Sequence, residues 1–244
     1  MAWNFQYGPY TIDLHHPIDL SWPVRRSGSP IAFGLPTPQF EVFETEGFRG
    51  SVREGGTCNV EILHLVPHGN GTHTECWGHI HPEPFYISEV RAPWLFIGVV
   101  WSFDVPFDRP VEMRHLSPKF CQAIEMPHVR GAGINVVNLP SPPVNFTGRR
   151  PPFLSAEVAA YLGKHLNHLI TNLPSIDSEH SKTLSAHRAF LGVNPSTHTI
   201  TELAAFPNEL PDGLYWTALM VPVIETDAVP SRPILYPLTD SDTK

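Results

Sequence analysis

Proline sets the first limit on this chain. It has 27 prolines in 244 residues. Each one removes a backbone donor and fixes φ, so helix interiors are interrupted and long helices must be few. Turns and extended segments should dominate. The apolar share of 41% and charged share of 16% are those of a globular chain rather than a disordered one. The length suits one domain spanning 1–244.

Within that frame a few segments stand out. Residues 10–22 read as an early strand and 58–66 as another, with Cys58, Val60, Ile62, His64 and Val66 on one face and Pro67 ending it. Residues 94–105 read as a strand buried on both sides. Residues 133–139, 198–203 and 214–224 complete the strand set. Ser155 is an N-cap for a helix over 156–169, and a second helix over 181–192 ends at Gly192 as its C′ residue. In that helix Leu184, His187 and Leu191 share one face, so His187 should point inward and need a partner. Residues 24–56, rich in Pro, Gly and charge, read as a long surface excursion serving a site or an interface. The tail from Thr239 should be frayed. Strands mixed with a few helices give an α/β or α+β domain.

Charge and composition exclude several roles. The net charge of −8 comes without any basic run, which argues against a nucleic-acid partner. No stretch has the roughly 18 apolar residues of a membrane span, and the N-terminus lacks a signal-peptide pattern. The three cysteines are odd in number and scattered, which fits a reduced, cytoplasmic setting.

Histidine is the unusual residue, with 14 copies. A lone one such as His16, His115 or His128 reads as a surface or hydrogen-bonded residue. Residues 68–79, HGNGTHTECWGH, are different: three imidazoles and a carboxylate fall among glycines. On an extended backbone His73 and Glu75 face one point. The glycines at 69, 71 and 78 should let the chain bend so that His68 and His79 swing towards it. Imidazole nitrogen and carboxylate oxygen suit Zn, Mn or Fe. The spacing is not that of HExxH proteases. His79-Ile80-His81 has the HxH of cupins without their upstream glycine. On the alternating segment 198–203, His198, Ile200 and Glu202 share a face.

Four stretches together resemble one family. GTHTECWGH is similar to the GTHxDxPxxH core of the kynurenine formamidase-like cyclase family of metal-dependent hydrolases, which includes isatin hydrolases. IDLHHPID resembles that family's opening strand. NLPSIDSEHSKTLSAH resembles its D-PS-D…SK-L-aH segment. The stretch from ITELAAF to RPILY resembles its closing one.

The resemblance implies a swivelling β/β/α fold with a mixed sheet. It implies that His73, Glu75, His187 and Glu202 hold one or two Zn or Mn ions per chain, and that His79 transfers protons. Glu75 stands where the family has a bridging aspartate. The family's first ligand histidine would fall at Gly69. Here His68 lies one residue earlier, and either a bulge brings it to the metal or that ligand is lost. Cys76-Trp77 replaces the usual proline. The activity implied is hydrolysis of an amide-type C–N bond, as in N-formylkynurenine during tryptophan catabolism, or in a cyclic amide. A lactone hydrolase or cyclase, or a metal-binding protein without catalysis, are the alternatives. Trp77, and Trp22 and Phe33 from the excursion, could line a small-molecule site. The resemblance also implies a homodimer or homotetramer.

Overall fold

The computed structural model describes residues 4–240. One eleven-stranded sheet gathers strands from both ends of the chain. In spatial order it runs Asn4–Tyr7, Tyr10–Asp13, Arg232–Asp240, Gly213–Met220, Leu95–Phe103, Val129–Val136, His168–Thr171, Thr199–Glu202, His73–Glu75 and Ala228–Pro230, with Ile18–Asp19 also paired to Arg232–Asp240. The four strands from Leu95–Phe103 to Thr199–Glu202 are mutually parallel, and the flanking pairs are antiparallel. The sheet is therefore mixed, as the resemblance implies.

Four α-helices occur among the described residues: α1 (Pro67–Asn70), α2 (Pro118–Ile124), α3 (Ala156–His165) and α4 (Ser185–Leu191). Ser155 caps α3 by accepting the Val158 N–H, as expected. Helices α2, α3 and α4 pack Phe120, Leu162 and Phe190 against Ile97, Val99, Ile134 and Ile200 on one face of the sheet. Each such side chain removed from water contributes roughly 1.5–3 kcal/mol. On the opposite face Leu20 and Leu210 pack with Phe96, Val100, Ile170 and Tyr215 of the sheet. Leu95–Phe103 thus has core on both sides, which explains its continuous apolar run.

Several sequence expectations are corrected. The 58–66 strand shrinks to Glu61–His64. It pairs with Gln39–Val42 in a separate hairpin, where Ile62 and Leu63 are both exposed. Its partner among the described residues is another largely exposed strand, so the apolar content here marks an extended segment and not core. Pro67 does not simply stop it: proline opens α1, where its missing N–H costs nothing. The excursion carries strands of its own, since that hairpin and the Glu44–Thr45/Phe48–Arg49 pair order its second half.

Helix α3 ends at His165, and Leu169 belongs to the next strand. Helix α4 starts only at Ser185, after Leu184 adopts φ 47°. Gly192 has right-handed φ −69°, so it is not a left-handed C′ residue. The early segment splits into Tyr10–Asp13 and Ile18–Asp19, the 133–139 strand runs over Val129–Val136, and the last strong strand ends at Met220. Of the tail, Thr239 and Asp240 belong to the Arg232–Asp240 strand, and the rest lies outside the described residues. No helix among the described residues is long and apolar enough to cross a membrane.

Candidate metal centre

The His73–Glu75 strand lies between Thr199–Glu202 and Ala228–Pro230, near one edge of the sheet. Its pleat turns His73 and Glu75 to one face, while Thr74 bonds Thr201 and Ser231 on the other. In the antiparallel register His73 sits opposite Glu202, so those two side chains meet across the pair. His73 Nε2 is 3.6 Å from Glu202 Oε2. His73 Nδ1–H donates to Gly71 O at 3.1 Å, which leaves the Nε2 lone pair facing the carboxylates.

His187 enters from α4. Asp177 holds it there: the carboxylate accepts the Ala186 and His187 backbone N–H groups and the His187 Nδ1–H, the last at 2.7 Å. One side chain thereby caps a short helix and aims an imidazole. His187 Nε2 then lies 2.9 Å from Glu75 Oε1 and 3.4 Å from Glu202 Oε1. Glu202 Oε1 also accepts the Ile176 N–H at 2.7 Å.

His68, on α1, does reach the site, with Nε2 3.8 Å from Glu75 Oε2 and 3.1 Å from Asp227 Oδ2. His79 Nε2 lies 3.7 Å from Glu75 Oε2, and its Nδ1 is 3.3 Å from Asp227 Oδ2. All six sequence-selected site residues, His68, His73, Glu75, His79, His187 and Glu202, therefore converge. The bend that does this is not the one expected from the glycines. Gly69, Gly71 and Gly78 have no left-handed φ. They are glycine because other chain segments press on them. A Cβ on Gly69 would lie 2.8 Å from Leu35 Cδ1, and one on Gly78 would collide with the Phe85 carbonyl oxygen.

Charge in the site is strongly coupled. Burial pushes the Glu75 carboxyl up, but the His79 and His187 imidazoles outweigh it and hold it below the usual range. Glu202 is held down to about 2: burial opposes this, and the His187 and His73 imidazoles facing it overcome it. Burial disfavours charge on His187, yet the Glu75, Asp177 and Glu202 carboxylates raise it well above an ordinary histidine. His79 is raised against its own burial by Glu75 and Asp227.

Of the six buried side-chain atoms without a conventional hydrogen bond among the described residues, five, His68 Nε2, His73 Nε2, both Glu75 oxygens and His187 Nε2, lie here, with only the site's own charged groups beside them. Orphaned buried polar atoms are rare and need a reason. Two sets of donor atoms, one from His68, Glu75 and His79 and one from His73, Glu75 and Glu202, each lie within 4.8 Å of one another. Glu75 belongs to both. This donor set fits a nitrogen- and oxygen-seeking divalent ion.

The residues named as lining fare differently. Trp22 borders a cavity of about 400 Å³ with Asn135, Asn172, Phe146 and Leu203, the neighbour of Glu202. Phe33, at φ 57°, borders a smaller hollow with Ser175 and Asp177. Trp77 packs into the core, its ring 5.3 Å from that of His81. Asp177 and Asp227 were not singled out from sequence. Both lie inside the quoted motif stretches, as the aspartate of LPSID and that of TDAVPSR.

No protein-family model and no curated protein matches the chain. Solved structures do. A predicted metal-dependent hydrolase from Bacillus stearothermophilus shares 13% identity at a TM-score of 0.60, covering 91% of this chain and 98% of that one. Isatin hydrolase A from Labrenzia aggregata, bound to benzyl benzoate, shares 16% at 0.56, covering 91% and 93%. A structure described as a novel cyclase shares 11% at 0.60, covering 92% and 89%. The chain thus has the fold of cyclase-like metal-dependent hydrolases, which is the fold its motifs implied.

Proposed function

We propose that this chain is a metal-dependent hydrolase of an amide-type C–N bond, in an arylformamide such as N-formylkynurenine or in a cyclic amide. The observation that carries this reading is the set of orphaned buried donors around Glu75. Isatin is a cyclic amide, so the fold shared with isatin hydrolase supports the substrate class.

His73, Glu75, His187, Glu202 and His68 would hold one or two zinc or manganese ions. Such an ion polarises a carbonyl and makes a water acidic enough to react near neutral pH. The rest falls to the chain. His73, Glu75, His187 and Glu202 are almost fully buried, whereas His68, His79 and Asp227 side chains keep 22%, 25% and 34% of their surface. Substrate therefore approaches past His79. With Nδ1–H committed to Asp227, His79 presents Nε2 to the reaction. It takes the proton of the attacking water as oxygen bonds to the carbonyl carbon. It returns that proton to nitrogen as the C–N bond breaks. Such transfer contributes typically about 10²–10⁴-fold.

The same reading makes the chain a homodimer or homotetramer. Exposed Val42, Phe43, Ile62 and Leu63 on and beside the hairpin support it, and sedimentation measures it. The test of function is turnover of zinc- or manganese-loaded protein on N-formylkynurenine, isatin and a panel of lactones. C–N cleavage that is lost in His79→Ala with metal retained supports the proposal. Turnover of lactones alone favours the ester reading. Bound metal without turnover leaves a binding protein.

A further inference from the structure

Asp227 touches the site through two histidines at once. It precedes the Ala228–Pro230 strand, and its carbonyl accepts the Cys76 N–H at 3.0 Å, which ties it to the strand end carrying Glu75. The next turn is tied as well, since Thr226 O accepts the Ile87 N–H at 2.8 Å. Thr226 Oγ1 donates to Asp227 Oδ1 at 3.2 Å, so Oδ2 is left for the imidazoles. Oδ2 lies 3.3 Å from His79 Nδ1 and 3.1 Å from His68 Nε2. The two rings are stacked, with centroids 4.5 Å apart. Glu75 Oε2 faces Nε2 of both rings, so His79 meets the two carboxylates at opposite nitrogens and His68 meets them at one.

A stacked imidazole pair has no covalent or helical reason to keep its orientation. His68 sits on a four-residue helix and His79 on a 3₁₀ turn. Both rings border solvent. Two such rings drift unless something at their common edge holds them.

We propose that Asp227 is the positioning residue of this centre: it holds His79 through Nδ1 so that Nε2 faces Glu75, and His79 in turn backs the ring of His68 stacked on it. A carboxylate behind a histidine fixes its tautomer and ring angle, and loss of such a partner costs typically about 10–100-fold in metal affinity or activity. Here the ring so fixed, His79, also supports the stacked ring of His68. This inference rests on the metal-site reading above.

The test is zinc affinity by chelator competition on metal-free protein, with thermal midpoints recorded alongside. Wild type, Asp227→Ala, Asp227→Asn, His68→Ala/His79→Ala and that double variant combined with Asp227→Ala are compared. Asp227→Ala should weaken zinc about 10–100-fold. Asp227→Asn, which keeps an acceptor for His79 Nδ1–H, should recover part of the loss. Without the two imidazoles, Asp227→Ala should cost nothing further, because its effect runs through them. A structural defect would instead lower the thermal midpoint and persist in the His68→Ala/His79→Ala background. Zinc affinity unchanged in Asp227→Ala, or an undiminished loss in that background, overturns the inference while leaving the hydrolase reading standing. A wild type that binds no zinc overturns both.

Discussion

Glu75 and Glu202 share one imidazole: His187 Nε2 lies 2.9 Å from an oxygen of the first and 3.4 Å from an oxygen of the second. Both carboxylates are buried, and both are held in the ionised form. Two negative charges removed from water demand a cation beside them. In the metal-free chain a protonated His187 fills that role, which is why its pKa is raised against its burial.

The sign of the pH effect follows. A metal ion must displace the His187 proton, so affinity falls as pH is lowered and binding releases protons. Conversely, His187 stabilises the metal-free fold fully below its unfolded value near 6.5, and that contribution is lost as pH rises through its raised folded value. The thermal shift produced by zinc should therefore grow between pH 6 and pH 9. Calorimetry in buffers of different ionisation enthalpy should show at least one proton released per chain. A thermal shift independent of pH would contradict this account.

Glu75 and Glu202 should differ in what their loss removes. Glu75 belongs to both donor sets, Glu202 to one. Glu75→Gln should leave the chain without metal and without turnover. Glu202→Gln should keep an ion bound between Glu75 and His68. Metal per chain from elemental analysis decides: equal content in the two variants would show that the sets are not separate.

Much of this site was readable from the chain because it rests on short-range rules. The pleat alone put His73 and Glu75 on one face, and helical periodicity alone turned His187 inward. That Glu202 stands opposite His73 depends on pairing between strands more than 120 residues apart, which no local pattern encodes. Asp177 and Asp227 were missed for a related reason. Each acts on a histidine distant from it in sequence, ten residues away for His187 and 148 for His79. The strand at 58–66 was misplaced because apolar content signals an extended segment but not what covers it. The glycines were recognised as special but for the wrong cause. Their need is close approach by Leu35, Trp22 and Phe85, which becomes visible only when those segments are packed.

The place of His68 makes a sharp prediction about Gly69. Exchanging the two residues, His68→Gly with Gly69→His, would restore the histidine spacing of the family motif. In this fold a Cβ on Gly69 would lie 2.8 Å from Leu35 Cδ1 and 3.2 Å from the Ala32 carbonyl oxygen, so Leu35 must swing and the chain give way before a ring could fit. The exchanged protein should lose stability by roughly 1–3 kcal/mol from overpacking and should not regain the metal lost in His68→Ala. Wild-type zinc affinity in the exchanged variant would mean that α1 can shift to present either position.

Gly78→Ala tests the turn that carries His79. The added methyl meets a main-chain carbonyl, that of Phe85, rather than a flexible side-chain tip. Backbone must move, at a cost of about 1–3 kcal/mol, or several degrees in thermal midpoint. The displaced turn takes His79 out of line with Asp227 and Glu75, so turnover should fall more than metal content does. Unchanged turnover would show that the turn adapts without moving the ring.

His168 offers a prediction remote from the candidate metal centre. It is fully buried between strands, donating from Nε2 to Pro93 O at 2.7 Å and accepting at Nδ1 from Thr199 Oγ1 at 2.8 Å, with its ring stacked on Phe96. Burial, with the only opposing influence coming from the Pro93 carbonyl, holds it down at about 4. The unfolded chain therefore takes up a proton near pH 6.5 that the folded chain refuses until about pH 4. Its contribution is complete above 6.5 and is lost as pH falls across that window, to the extent of roughly 3 kcal/mol. Urea unfolding at pH 4.5, 5.5 and 7 should show stability rising with pH. In His168→Gln, whose amide can keep one donor and one acceptor bond, the rise should be smaller. An equal slope in the two proteins would mean that other groups carry the acid sensitivity and that His168 accepts its proton inside the fold.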